Sequence, residues 1–399
     1  MESAKSRPSW QGWTAWVVLG AVIAGLLAAI PTPGCSDVSH FWIGWMRTLR
    51  IEGIAEGYAV SVPDCSPLSL VFLYGASLVA EATGLSETIA LKAGLAVFAL
   101  LGAGLFAAWH RHLWLTVVFL AALILSSTAH GYLDVLYVPA FLLSLHALSR
   151  DRLVAASAWF ALATAVKWQP LIVAPFFVVY ALKVHREPAA PARWKLILAG
   201  ALPVCLAFVL FFGSVPLARS LHKALTVHTG LSYQALNPGW LIEMALQPAH
   251  PGVPPYEIPA PWIFTVALKA AFAGVYLFLL FSLWRRAGDF ADFVWHACAG
   301  MLAYYTLNTG VHENHLFLGM ALGFVLAGET RSGSWLMAGY CGAMTNLNLL
   351  LFNGLTGTDP VWGGGHGTLA WILCLLNPLF LICCVWRAVR RLRAPSPTG

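Results

Sequence analysis

Trp262-Ile263-Phe264-Thr265-Val266-Ala267-Leu268-Lys269-Ala270-Ala271-Phe272-Ala273-Gly274-Val275-Tyr276-Leu277-Phe278-Leu279-Leu280-Phe281-Ser282-Leu283-Trp284 holds a single charge, Lys269, and runs straight into Arg285-Arg286. As an α-helix this stretch reaches roughly 35 Å at about 1.5 Å per residue, enough to cross a hydrocarbon core of about 30 Å. Tryptophan at both ends and a basic pair beyond one of them are the anchors of a membrane span. The rest of the chain repeats the pattern. Its 399 residues are 59% hydrophobic and 10% charged, with a mean hydropathy of +0.74, more apolar surface than a soluble core can absorb. Apolar runs fall at about 13–31, 89–109, 113–129, 135–149, 153–167, 170–183, 196–213, 262–284, 290–307, 315–328, 334–352 and 369–386. The expectation is an all-α polytopic integral membrane protein with about twelve transmembrane helices, forming one domain over 1–399.

The basic residues give the chain its sidedness. On alternation of these spans, Lys5, Arg7, Arg111, Arg150, Arg152, Lys183, Arg186, Arg193, Lys195, Arg285, Arg286, Arg331, Arg387, Arg390, Arg391 and Arg393 share one side. That is 16 of the 23 lysines and arginines, so this side is expected to be cytoplasmic, with both termini on it. The first run, Trp13 to Ile30, is long for a secretory leader and lacks a convincing small-residue cleavage pattern, so it is read as a span. Leu68 to Ala80 is too short to cross and follows Pro67; it reads as a helix along the outer interface. Two large outer loops result, 32–83 with that juxtamembrane helix, and 214–261. No soluble domain, low-complexity tract or internal repeat stands out, and nothing in the charge pattern calls for a nucleic-acid partner.

Polar groups of the kind that perform chemistry collect on the outer side. His40, His130, His222, His228, His250, His312, His315 and His366 fall there with Asp37, Asp64, Asp134, Lys167, Glu243 and Glu313. Asn308-Thr309-Gly310-Val311-His312-Glu313-Asn314-His315 is the densest group, and ionisable side chains that close to a bilayer usually mark a site. His222, His250 and His366 read more simply as solvated loop residues. His312 and His315 could ligate zinc from one helical face, with Glu313 near and His228 or Asp37 as a third ligand. The pair lacks the i, i+4 spacing of the metalloprotease motif, and no metal is expected. Of eight cysteines, Cys35 and Cys65 are in an outer loop, and a disulfide between them would stabilise that loop by roughly 3 to 4 kcal/mol in the chain-entropy account.

Asp37, just beyond the first span, is placed to act as a general base at headgroup level, although a lone loop aspartate is more often a helix cap or a solvated charge. Lys167 at a span end reads either as a phosphate contact or as a snorkelling anchor. Asp134 either satisfies helix ends or pairs with His130. Lys92 opens its span on the outer side, against the positive-inside trend, and is either an interfacial anchor or an anion contact.

These residues fall into an order that resembles the GT-C superfamily of polyprenyl-phosphate-sugar glycosyltransferases, in particular the ER dolichyl-phosphate-glucose glucosyltransferases and their bacterial relatives. The resemblance extends over most of the chain. Asp37 stands where the family has its acidic base in the first outer loop. Pro63-Asp64-Cys65-Ser66-Pro67-Leu68 is similar to the family's Leu-Asp-Tyr-Pro-Pro-Leu segment, with one proline lost. His130-Gly131-Tyr132-Leu133-Asp134-Val135-Leu136 resembles the His-Gly-His-Phe-Gln-Tyr-Asn segment, or the bacterial Gly-x-x-Asp-x-Leu. Lys167-Trp168-Gln169-Pro170-Leu171 matches a lysine before an apolar-proline run, and Val311-His312-Glu313-Asn314 matches Val-His-Glu-Lys, with the final cation lost. Tyr233 to Trp240 resembles a loop beside the family's substrate groove.

The resemblance implies an inverting hexosyltransferase of the bacterial inner membrane, with its site on the outer, periplasmic or luminal face. Asp37 would deprotonate an acceptor hydroxyl on a lipid, glycan or protein. That hydroxyl would attack a sugar carried on polyprenyl phosphate. Lys167, His312, Glu313, His315, His130, Asp134, Asp64, His40 and Lys92 would bind donor phosphate or sugar, without a metal or other cofactor. A multi-span transporter or flippase of a lipid-linked sugar is the alternative reading, and a non-catalytic assembly partner a third.

Overall fold

The computed structural model describes residues 10–183, 190–286, 288–330 and 335–393. Lys5, Arg7, Arg186 and Arg331, counted above among the inner cations, lie outside the described residues. Helices α1 (Trp10–Ala29), α2 (Ile43–Glu52), α3 (Ile54–Ser61) and α4 (Pro67–Thr83) come first, with a π-helical turn, Val38–Trp42, leading into α2. Next are α5 (Glu87–His110) and α6 (Leu113–Ile124), which runs on through a π-helical turn, Leu125–Ala129. A 3₁₀ turn, Leu133–Tyr137, opens α7 (Val138–Ser149); α8 (Leu153–Val166) follows. Another 3₁₀ turn, Gln169–Ile172, leads to α9 (Ala174–Lys183), α10 (Ala190–Phe212), α11 (Ser214–Thr226) and α12 (Pro238–Leu246). The chain closes with α13 (Trp262–Arg286), α14 (Phe290–Leu307), α15 (Phe317–Glu329), α16 (Trp335–Asn353) and α17 (Thr368–Arg393). Two residue pairs, β1 (Ser232–Tyr233) and β2 (Val311–His312), form a parallel ladder with Ser232 opposite Val311 and Tyr233 opposite His312.

The architecture is therefore all-α, and each of the twelve apolar runs is helical. Among the described residues, four helices are long and apolar enough to cross a membrane: α5, α10 over Ala192–Phe212, α13 and α17. Leu206, Leu210, Phe211, Leu277, Phe281 and Leu379 on these helices are exposed, more large apolar side chains turned outward than a water-facing surface carries. Helix starts follow ordinary capping. The Ser86 hydroxyl accepts the Ile89 N–H, the Asp289 carboxylate that of Asp292, and the Asn237 amide oxygen that of Trp240. Pro67 occupies the first turn of α4, where its missing N–H has no intrahelical partner in any case.

Small residues set the close helix crossings. A Cβ at Gly200 of α10 would overlap the Val154 carbonyl of α8, and one at Gly323 of α15 would press on Ala338 of α16 at 3.0 Å. Such contacts let backbones approach where lipid gives no hydrophobic drive to pack.

The expected outer loops are more ordered than loops. Within 32–66 the chain forms α2 and α3, held by Arg47 and Arg50 on Glu87 at 2.9 and 3.5 Å. Within 214–261 it forms α11 and α12. The interfacial helix expected at Leu68–Ala80 runs the full length of α4 and buries Leu70, Leu73 and Ala76 on one face. The described ion pairs each join residues expected on the same side, as His110 with Glu329, Arg193 with Asp151 and Arg391 with Asp292 at one end, and Asp64 with His228 at the other. That sorting supports alternation of the helices.

Candidate functional site

Asp37 is delivered by a short, heavily pinned segment. Gly34 has φ +87°, a left-handed conformation that suits glycine, and its N–H donates to the Thr356 carbonyl at 3.0 Å. The Cys35 N–H donates to the His130 carbonyl at 2.8 Å. Lys92 holds the same turn from below: its ammonium donates to the Thr32 carbonyl and hydroxyl, each at 2.6 Å, and to the Ala129 carbonyl at 3.0 Å. All three N–H donors are thus used and the residue is fully buried. Lys92 is neither an interfacial anchor nor a donor-phosphate contact; it clamps the end of α1 to the end of α6.

The half-buried Asp37 carboxylate faces a cavity of about 560 Å³. Asp64, Lys167, His228, His312 and His315 share its lining with Trp168, Leu225, Lys269, Phe272 and Tyr304. Volume and mixture suit a ligand with a polar head and an apolar body. Burial raises the Asp37 carboxyl to about 6, only partly offset by Lys167; Asp64 and Asp134 push the same way as burial. Burial also works on Asp64, but the hydrogen bond and charge of His228 outweigh it and hold that carboxyl below its usual value. The His228 Nε2 is 3.6 Å from the Asp64 Oδ2.

The histidine cluster read from the sequence is a real structural unit. Gly310, at φ +70°, donates its N–H to the Gly230 carbonyl at 3.0 Å and so turns the chain into β2. The His312 ring stacks on Tyr233, 5.0 Å between centroids, and packs edge-on against His228 at 4.1 Å. The His315 Nδ1 accepts the His312 N–H at 3.2 Å, with the Tyr304 hydroxyl at 3.2 Å from the same nitrogen. Burial, then repulsion from His228, pushes His312 down to about 3. Burial likewise lowers His315, with His312 adding to the effect. Neutral rings offer N–H donors rather than positive charge.

Behind this lining is a buried polar layer. Asp134, fully buried in the 3₁₀ turn before α7, accepts from the Lys167 ammonium at 2.8 Å and from the Asn314 amide at 2.9 Å. Neither partner expected for Asp134 from the sequence is present: it pairs with Lys167, not His130. Asn314, where the resemblance loses a cation, thus holds the carboxylate that holds Lys167. Tyr132 donates its hydroxyl to Glu313. Burial raises Glu313 to about 7, with Asp37 adding to it. Neither Glu313 nor Asp134 lines the cavity.

Other expected members are elsewhere. The His130 Nε2–H donates to the Gly354 carbonyl at 2.7 Å, and burial lowers the ring to about 4. It is a neutral tie between α6 and the turn after α16, not a phosphate ligand. His40 is exposed, within 2.9 Å of the Ser36 carbonyl, and lines a separate cleft of about 370 Å³. Cys35 and Cys65 are both buried and free. Cys35 packs with Tyr132 and Leu349, whereas Cys65 belongs to the main core, so the expected disulfide is not formed. His222 and His366 are exposed, as read. Among the described residues no group of three or more His, Cys, Asp or Glu is arranged to hold a metal ion.

Two ionisable lining residues were not among the expected substrate-binding groups: His228, weighed only as a metal ligand, and Lys269, a lone charge in a span. Their place is set at long range. The loop before α12 is gripped by Asn348, whose amide oxygen accepts the Leu236 N–H at 2.8 Å and whose amide donates to the Gln234 carbonyl at 2.9 Å. Glu243 secures its other end, accepting N–H groups from Leu231 and Ser232 at 2.7 and 3.0 Å. Against known proteins, no protein-family model matches the chain and no curated protein matches it.

Proposed function

We propose that this chain is a membrane glycosyltransferase of GT-C type, moving a hexose from a polyprenyl-phosphate donor to an acceptor hydroxyl with inversion. The observation that carries this reading is Asp37: a carboxylate raised by burial to about 6, at the wall of a cavity lined by both ionisable and apolar side chains. A base with that affinity is ionised at pH 7 yet basic enough to take a proton as the hydroxyl attacks. Lys167, positioned by Asp134 and Asn314, supplies positive charge for the leaving phosphate, and the neutral rings of His312 and His315 supply hydrogen-bond donors. His228 and Asp64 add a paired polar contact to the same lining.

On this reading about twelve helices cross a bacterial inner membrane, both termini are cytoplasmic and the cavity opens on the outer face. The four long apolar helices and the sorted ion pairs support it. Lys269, a charge within an apolar helix, keeps the transporter reading open. The two separate in proteoliposomes holding a radiolabelled polyprenyl-phosphate sugar and an envelope glycan or lipid extract. A transferase moves label into the extract, and Asp37→Asn abolishes that transfer. A flippase changes only the leaflet in which the labelled lipid resides.

A further inference from the structure

Lys269 is the sole charge between Trp262 and Trp284, about 10 Å from the start of α13 at roughly 1.5 Å per residue. Lys269 is exposed and stands in the outer third of the helix, where its ammonium reaches headgroup level, so what marks it is its place at the cavity and its lack of a partner among the described residues. Three other lysines on the outer half of the molecule are committed: Lys167 to Asp134, Lys92 to three oxygens and Lys223 to the Val62 carbonyl at 2.9 Å. Lys269 has no hydrogen-bond or ion-pair partner among the described residues, and it lines the Asp37 cavity.

The wall on its side comes from two helices that show apolar surface outward. α11 contributes Leu221 and Leu225 and exposes Val215; α13 contributes Phe272 and exposes Val266. A helix that is polar on one face and apolar on the other, as α11 is, settles in the membrane interface. The cavity is thus flanked by lipid-facing helices where an unpaired ammonium stands.

We infer that Lys269 binds the phosphate of an isoprenoid lipid phosphate entering sideways from the bilayer between α11 and α13. The inference rests on reading the cavity as a lipid-phosphate-sugar site, and it adds the residue and the direction of entry. An ammonium is a compact donor suited to the phosphate of a lipid ester, and the apolar wall suits the chain that carries it. A snorkelling lysine would need no such ligand.

Binding to purified protein in phosphatidylcholine nanodiscs tests this without sugar transfer, using farnesyl phosphate, farnesol and inorganic phosphate as probes. Farnesyl phosphate should bind, farnesol about tenfold more weakly, and inorganic phosphate should not compete, because chain and phosphate act together. Lys269→Gln should weaken farnesyl phosphate about tenfold and leave farnesol unchanged, whereas Lys269→Arg should stay within about threefold. Lys195→Gln at the other end of the molecule should bind as wild type, and matched thermal melting of each variant checks the fold. Wild-type affinity in Lys269→Gln overturns the assignment. Inorganic phosphate competing in wild type overturns lipid entry in favour of a free-anion site. Because no sugar is present, these results stand apart from whether the chain is a transferase.

Discussion

Lys167 and Asp134 show what one residue does here that its sequence neighbours do not reveal. Asp134 has no exposure, and its charge is met by the Lys167 ammonium and the Asn314 amide. Lys167→Met would strand that carboxylate and should cost about 3 kcal/mol of stability, since a broken buried pair leaves a desolvated charge. The double variant with Asp134→Asn should recover most of the melting temperature but not donor binding. The acidic and basic side chains Asp37, Asp64 and Lys167 were legible as site members because charges are scarce in so apolar a chain. Lys92 and His130 were misread for the converse reason. The carbonyls that absorb them, at Thr32, Ala129 and Gly354, are backbone groups that no residue pattern announces. His228 was weighed only as a metal ligand, because its partner Asp64 is far away in sequence and reaches it only in the fold.

The helices were legible nearly to their ends, since apolar runs between polar breaks leave the backbone no other way to satisfy its hydrogen bonds in lipid. What pattern could not give was the internal order of the outer segments. α2 and α3 are short, and their rigidity comes from Glu87 at the start of α5 and from packing on α4. Lys92 is the clamp between α1 and α6. Lys92→Met should lower the melting temperature, leaving acceptors at Thr32 and Ala129 unmet at a cost of roughly 1 to 3 kcal/mol, while sugar-donor affinity at low temperature stays near wild type. Loss of donor affinity without loss of stability would restore the phosphate reading of Lys92. In the second outer segment, burial raises Glu243 to about 8 against the backbone N–H groups that lower it. Its folded value lies above the unfolded one, so the folded state binds the proton more tightly. Stability from this group is therefore full below about pH 4.5 and falls as pH rises toward 8. Glu243→Gln, which keeps the accepting oxygen and removes the titration, should melt higher than wild type at pH 8. Wild type and Glu243→Gln melting with the same difference at pH 5 as at pH 8 would refute the argument.

Across the whole molecule, sidedness and site depend on each other, because the cavity serves an outer-face reaction only if α1 delivers Asp37 to that face. Single cysteines at the exposed Glu52 and Arg152, in a background lacking the native thiols, test the arrangement in intact cells. A membrane-impermeant maleimide should label Glu52→Cys and spare Arg152→Cys until the membrane is opened; the reverse pattern would invert the topology. The all-α class was legible from composition and charge alone, whereas the expectation of about twelve spans and an interfacial helix did not include the helices α2, α3, α11 and α12 of the outer segments. The addition of His228 and Lys269 to the cavity that Asp37, Asp64, Lys167 and His312 line was not legible, because it depends on helix crossings and on buried amides that no residue pattern announces. The account turns on Asp37 as the base, and the pH dependence of sugar transfer by purified protein reads that directly. With the carboxyl at about 6, kcat/KM should fall about tenfold per pH unit below that value and level off above it. Asp37→Asn should lose roughly 10²- to 10⁴-fold at every pH with an unchanged melting temperature. Transfer by Asp37→Asn at the wild-type rate, with the same acid limb, would contradict the account.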